Sequence, residues 1–294
     1  VVDNAALAAR TGKEAASIEK NTGMRERRYA AEGVSVVDLG EEAARSCLQK
    51  ANVNADEIGL VLFSCGSMER CFPGPASTLA ARLGMTSTPA IDLPIASAGS
   101  LVAIAMAADM ALHYGNILIV ASEIMSRRIA DADADTVILF GDGAGACLVS
   151  RDSGFARIVD AAIHTDGNYA ESLRLPFGGT LEMRGLDVIA QASRKIPRAI
   201  ADLIARHGLT PADIGVFLMH QANLNLIKKV ASALKVPDEK FFVNIERYGN
   251  TSSASLLIAA SEWWDQVGKP VREQIVLAAF GAGFTWGAVL AHPV

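Results

Sequence analysis

The second half of this 294-residue chain rhymes with the first. Asp56-Glu57-Ile58-Gly59-Leu60-Val61-Leu62-Phe63 reads like Ala212-Asp213-Ile214-Gly215-Val216-Phe217-Leu218-Met219. Further on, Phe140-Gly141-Asp142-Gly143-Ala144-Gly145 is echoed by Phe280-Gly281-Ala282-Gly283-Phe284-Thr285-Trp286-Gly287. Two pairs of words in the same order point to a duplicated α/β unit, with halves at 1–150 and 151–294. Strand-like runs fall at 60–63, 117–120, 137–140, 146–149, 216–219, 275–279 and 288–291. Helical stretches at 41–51, 76–83, 101–113, 223–234 and 253–264 alternate with them. The strands are apolar almost throughout, which implies sheets covered on both faces. Their alternation with helices implies a layered α/β architecture. The 101–113 stretch has almost no polar face and is expected to lie between sheets.

Composition removes several function classes. The chain is 51% hydrophobic with only 20% charged residues, which fits a core buried on several layers. A formal net charge of −5 and the lack of any basic run interleaved with aromatics argue against a nucleic-acid binder. The most apolar stretch, 93–108, is broken by Pro94, Ser97, Gly99 and Ser100 and falls short of a membrane span. Cys47, Cys65, Cys71 and Cys147 lack CxxC pairing and have no His at ligand spacing, so free thiols are expected and a metal site is not. No signal peptide is visible, and a cytoplasmic protein is the plain expectation.

Three segments carry chemistry. His220-Gln221-Ala222-Asn223 and Gly249-Asn250-Thr251-Ser252-Ser253-Ala254-Ser255 place a histidine and an asparagine at strand-to-helix junctions. Held together, the two side chains can give two hydrogen bonds to one developing enolate or oxyanion. Ile91-Asp92-Leu93-Pro94-Ile95-Ala96-Ser97-Ala98-Gly99-Ser100 opens the apolar helix with a hydroxyl at its mouth. Ser97 reads either as the N-cap of that helix or as a nucleophile at the positive end of its dipole. By themselves, His220 is also a strand-end histidine and Asn250 a turn residue or helix cap.

These words together resemble β-ketoacyl-acyl carrier protein synthase III, a condensing enzyme of the thiolase superfamily, over essentially the whole chain. The resemblance implies a five-layered αβαβα thiolase fold. It implies loading of an acyl group from a thioester, then decarboxylative Claisen condensation with malonyl-acyl carrier protein, in fatty acid or polyketide biosynthesis. It assigns catalysis to Ser97, His220 and Asn250, and an oxyanion hole to the backbone N–H groups of Ser97 and Ala282. Phe140 and Phe280 match walls of the acyl pocket, and Asn223 matches the phosphopantetheine channel. Phe72 matches a loop that crosses a homodimer interface into the partner's pocket. No cofactor is implied beyond the phosphopantetheine arm of coenzyme A or acyl carrier protein, which enters with the substrate.

Several departures qualify the resemblance. The family has cysteine where this chain has Ser97. A thiol of pKa about 8.5 becomes a thiolate at a helix N-terminus, whereas an alcohol needs a base, for which His220 is the candidate. Acyl-Ser chemistry then leaves open transfer to an alcohol, amine or carrier thiol without condensation. It also leaves open a silent subunit that only binds acyl carriers, or a Cys-to-Ser replacement made to trap substrate. The family's opening strand would precede Val1. Its coenzyme A-gripping Trp and Arg align with Ser17 and Asn21, which favours a carrier-bound donor. Arg194, Lys195, Lys228 and Lys229 could face an acidic carrier, or be ordinary solvated helix charges. The 176–183 segment is shorter than the family's loop, so the pocket lid is expected to differ.

Overall fold

The computed structural model describes residues 1–267 and 273–294. Two sheets form its frame. The first contains β1 (Ile58–Ser64), β2 (Ala90–Leu93), β3 (Asn116–Glu123) and β4 (Gly143–Ser150), in the order β2-β1-β3-β4. The second contains β5 (Ala156–Thr165), β6 (Ile214–Met219), β7 (Phe241–Phe242), β8 (Gln274–Gly281) and β9 (Thr285–Pro293), in the order β7-β6-β8-β9-β5. In each sheet three neighbouring strands are parallel and the next is antiparallel. The chain crosses from one sheet to the other between Ser150 and Ala156.

Alternation along the strands explains the layers. Leu60 and Leu62 of β1, with Val216 and Leu218 of β6, point into the central layer. That layer holds α3 (Gly99–Tyr114) and α6 (Ser255–Val267). Leu101 and Ile104 meet Leu256, Leu257 and Trp263 there. Val61 and Phe63 point the other way, onto Val36, Ala44 and Leu48 of α1 (Val36–Ala51) and Leu79 of α2 (Pro75–Arg82). Phe217 and Met219 do the same toward Ile196, Ile200 and Leu203 of α4 (Gly185–Ala205) and Val230 of α5 (Leu224–Leu234). Strands buried on both faces need apolar residues at every position, which is why they read as continuous runs. The result is helix, sheet, helix, sheet, helix.

Local signals set several boundaries. Helix α1 begins with a capping box, in which Ser35 accepts from Asp38 N–H and the Asp38 carboxylate accepts from Ser35 N–H. Gly145 lets α6 lie against β4, since a Cβ there would stand 2.7 Å from the Cβ of Leu257. The run 137–140 is not a strand. Asp133 caps a short helix at Ala134–Val137, and Phe140 makes only an isolated bridge to Asn250. A short apolar run fits a buried helical turn as well as it fits a strand. Among the described residues, no helix is long and apolar enough to cross a membrane.

Candidate active site

Ser97 lies in the turn between β2 and α3. It is not the helix cap: the helix starts at Gly99 with Ala98 at the capping position, and Ser97 stands in the left-handed region at φ 63°. That conformation is costly for a residue with a Cβ. Ser97 lines a cavity there. Among the described residues Ser97 Oγ has no hydrogen-bond partner, whereas Ser97 N–H donates to Ser252 Oγ at 3.0 Å. Gly281 closes in from the second half, where a Cβ would fall 2.1 Å from Ala96 O. Only glycine allows that approach, and it brings the Ala282 turn beside the Ser97 turn.

His220 follows β6 directly and is buried. Its N–H donates to Ala278 O of β8, continuing the ladder and fixing the backbone. Ring nitrogen Nδ1 lies 2.5 Å from Ser255 Oγ. Burial pushes the imidazole pKa down to about 4, so the ring is neutral near pH 7. The next residue, Gln221, braces the turn: its Nε2 donates to Met219 O and its Oε1 accepts from Asn244 N–H.

Asn250 is clamped on both sides of its backbone. Its N–H donates to Leu139 O, and its carbonyl accepts from Gly141 N–H. The side-chain Oδ1 accepts from Ser252 N–H at 2.9 Å. This assigns the amide orientation and leaves Nδ2–H as the group for the pocket. Ser97, His220 and Asn250 line one cavity with Phe140, Phe280, Met183, Leu226 and other apolar residues. None of the lining side chains is charged. The free space is about 40 Å³. The site thus combines a free hydroxyl, a neutral imidazole and a carboxamide donor in a small, mostly apolar cavity.

Comparison with known proteins shows the family and the fold. Residues 91–167 match the family described as 3-oxoacyl-[acyl-carrier-protein (ACP)] synthase III, and residues 204–292 match its C-terminal part. The β-ketoacyl-[acyl-carrier-protein] synthase III of Oleidesulfovibrio alaskensis is 35% identical over 93% of this chain and 89% of its own. The chain belongs to the β-ketoacyl-[acyl-carrier-protein] synthase III family. The crystal structure of the Aquifex aeolicus synthase III superposes with a TM-score of 0.95 at 30% identity, covering 99% of this chain and 95% of that one. The priming β-ketosynthase of a polyketide pathway superposes with a TM-score of 0.90 at 30% identity, covering 99% and 92%. The fold is the thiolase fold of these synthases.

Other residues singled out from the sequence lie elsewhere. Asn223 is not among the cavity's lining residues: Oδ1 accepts from Asn225 N–H to cap α5, and Nδ2 donates to Asn21 O. Phe72 is 86% exposed and touches no part of its own chain's cavity. Asn21 Nδ2 donates to Ser17 Oγ, and both residues are exposed. Of the four cations, Arg194, Lys228 and Lys229 are exposed, but Lys195 is not free. It pairs with Asp166 at 2.8 Å and lies 4.0 Å over the Trp286 ring. All four cysteines are free thiols. Sequence reasoning missed Ser252, Ser255 and Glu123, which hold the three site residues in place. The only signal for the two serines was the run of small hydroxyl residues after Asn250, and Glu123 had none.

Proposed function

We propose that this synthase III-family chain loads an acyl group on Ser97 and condenses it with malonyl-acyl carrier protein. The reading is carried by one observation: Ser97, His220 and Asn250, far apart in sequence, line a single cavity. In the loading step Ser97 Oγ attacks the thioester carbonyl, a C–O bond forms, and the pantetheine thiol leaves with the serine proton. His220 Nε2 carries that proton between them. The backbone N–H groups of Ser97 and Ala282 hold the oxyanion once Ser97 N–H lets go of Ser252.

In the condensing step the malonyl thioester loses CO2 and its electron pair becomes an enolate. His220 and Asn250 donate to the enolate oxygen, and its carbon attacks the acyl-Ser carbonyl. Ser97 Oγ then leaves and takes up a proton, giving a β-ketoacyl thioester for fatty acid or polyketide synthesis. The pantetheine arm arrives with the substrate, so no further organic cofactor is needed. Exposed Arg194, Lys228 and Lys229 provide positive charge for an acidic carrier in the cytoplasm. Exposed Phe72 suits burial against a second copy of the chain, making the active form a homodimer.

A serine ester is less activated than a thioester, so transfer to an alcohol, amine or carrier thiol is the alternative outcome of loading. Intact-mass spectrometry against a panel of acyl-CoA and acyl-carrier donors tests both. A single acyl adduct that disappears in Ser97→Ala supports loading, and a carbon–carbon bonded product on adding malonyl carrier supports condensation. Absence of any adduct, with turnover surviving Ser97→Ala, would remove Ser97 as the nucleophile. Sedimentation giving only monomers would remove the homodimer.

A further inference from the structure

We propose that Ser255 is a positioning residue that decides which nitrogen of His220 carries the proton, and so favours the decarboxylation step over the loading step. The proposal rests on the condensing reading above.

Ser255 is the first residue of α6 and is buried. Its Oγ accepts the backbone N–H of Gln221 at 3.1 Å and lies 2.5 Å from His220 Nδ1. A serine hydroxyl has one proton and two lone pairs. Gln221 uses a lone pair. Among the described residues Ser255 Oγ has no third partner, so its proton points at Nδ1. A neutral imidazole has one donor and one acceptor nitrogen. With Nδ1 accepting, Nε2 bears the hydrogen, and His220 presents N–H to the cavity.

The two half-reactions ask opposite things of Nε2. Decarboxylation needs Nε2–H to hold the enolate oxygen beside Asn250 Nδ2–H. Loading needs an Nε2 lone pair to take the proton of Ser97. That second form requires Nδ1–H, which the Ser255 hydroxyl can accept only by turning its own proton away. The hydroxyl of Ser255 thus sets the balance between acyl loading and malonyl decarboxylation.

Three measurements on the full-length protein test this. The 15N resonances of His220 report the tautomer without any substrate. CO2 release from malonyl carrier reads the decarboxylation step, and the rate of adduct formation on Ser97 reads loading. In the parent, Nδ1 should resonate as unprotonated and Nε2 as protonated. Ser255→Ala should shift both nitrogens toward a tautomer mixture and slow CO2 release roughly tenfold or more. Loading should be unchanged or faster. Ser255→Thr, which keeps a hydroxyl, should restore the parent pattern. A parent ring protonated at Nδ1 would overturn the proposal. So would equal slowing of both half-reactions in Ser255→Ala with unaltered ring shifts. If the parent neither loads nor releases CO2 with any carrier, the functional reading fails, and the nitrogen shifts alone still decide the role of Ser255.

Discussion

The hydroxyl of Ser252 accepts the backbone N–H of Ser97 at 3.0 Å. Ser252 comes from the second half of the chain and Ser97 from the first, so this bond ties the nucleophile turn to the Asn250 loop. It also occupies the donor that the proposed loading step would use for its oxyanion. Ser252→Ala should therefore lower stability while sparing loading. An unpartnered buried N–H costs about 1–2 kcal/mol, which urea denaturation will read. Adduct formation on Ser97 should proceed at least as fast as in the parent. A large fall in the loading rate would mean that Ser252 supports the reactive geometry and does not merely compete for the N–H.

Burial of His220 makes a pH prediction with a definite sign. The ring titrates at about 4 in the fold, against 6.5 ordinarily. Between those values the unfolded chain takes up a proton that the folded chain refuses. Stability is thus unaffected by this group above pH 6.5 and is lost as pH falls toward 4. The full effect is about 3 kcal/mol. Comparing urea midpoints of the parent and His220→Gln at pH 7.5 and pH 4.5 isolates it from the carboxylates. The parent should lose more stability on acidification than the variant. Equal losses would show that the imidazole is solvated or paired in solution.

The cavity's size predicts which acyl groups it takes. Its free space of about 40 Å³ equals about three waters, or two to three carbon atoms. Leu226 of α5 is buried and forms part of the wall. Leu226→Ala should extend the range of acyl adducts on Ser97 to longer chains, at a cost of about 2–5 kcal/mol in stability. A donor panel read by intact mass checks the shift. If the parent already loads long chains as fast as short ones, the wall moves and does not set chain length.

Much of this molecule was legible in short words and the rest was not, for physical reasons. Strands β1 and β6 were readable because burial on both faces demands apolar residues at each position. Strand β5 was overlooked: Arg157, Val159 and the His164-Thr165 end are exposed, which interrupts the apolar run. Helix α4 was overlooked as well, since Pro197 sits in its interior, where proline ordinarily breaks a helix. Ser97 and His220 could be named because each follows a strand in a recognisable phrase, and Asn250, which follows the short helix Ile245–Tyr248, because its phrase is recognisable as well. Asn223, a polar residue after the histidine, serves as the cap of α5. The partners of the site were invisible, since Ser252 and Glu123 act through atoms that meet across the two halves, and Ser255 through a contact with His220 35 residues away in sequence.

Glu123 gives the strongest case of such a meeting. It ends β3, is fully buried, and has no cation beside it in the ion pairs of the described residues. Its charge is met by donors instead. Ser67 Oγ donates to Oε2 at 2.6 Å, Ser253 Oγ donates to Oε1 at 2.7 Å, and Gly66 N–H reaches both oxygens at 3.0 and 3.1 Å. Ser67 Oγ also accepts from Ile124 N–H and lies 3.7 Å from Cys65 Sγ. Ser253 neighbours Ser252, and Glu123 thereby anchors the loop that holds both Ser97 N–H and Asn250 Oδ1. Glu123→Gln keeps the shape but puts an N–H2 group where an acceptor stood, facing at least one donor. Leaving such a group unsatisfied in the core costs about 1–3 kcal/mol, more where a charged acceptor is lost. Urea denaturation should show that loss. CO2 release from malonyl carrier should fall as well, because Asn250 is carried on the same loop. Ser67→Ala, which removes one donor and leaves the acceptor, should cost less on both counts. A Gln variant as stable and as active as the parent would mean that the carboxylate's charge is not what holds the two halves together at the site.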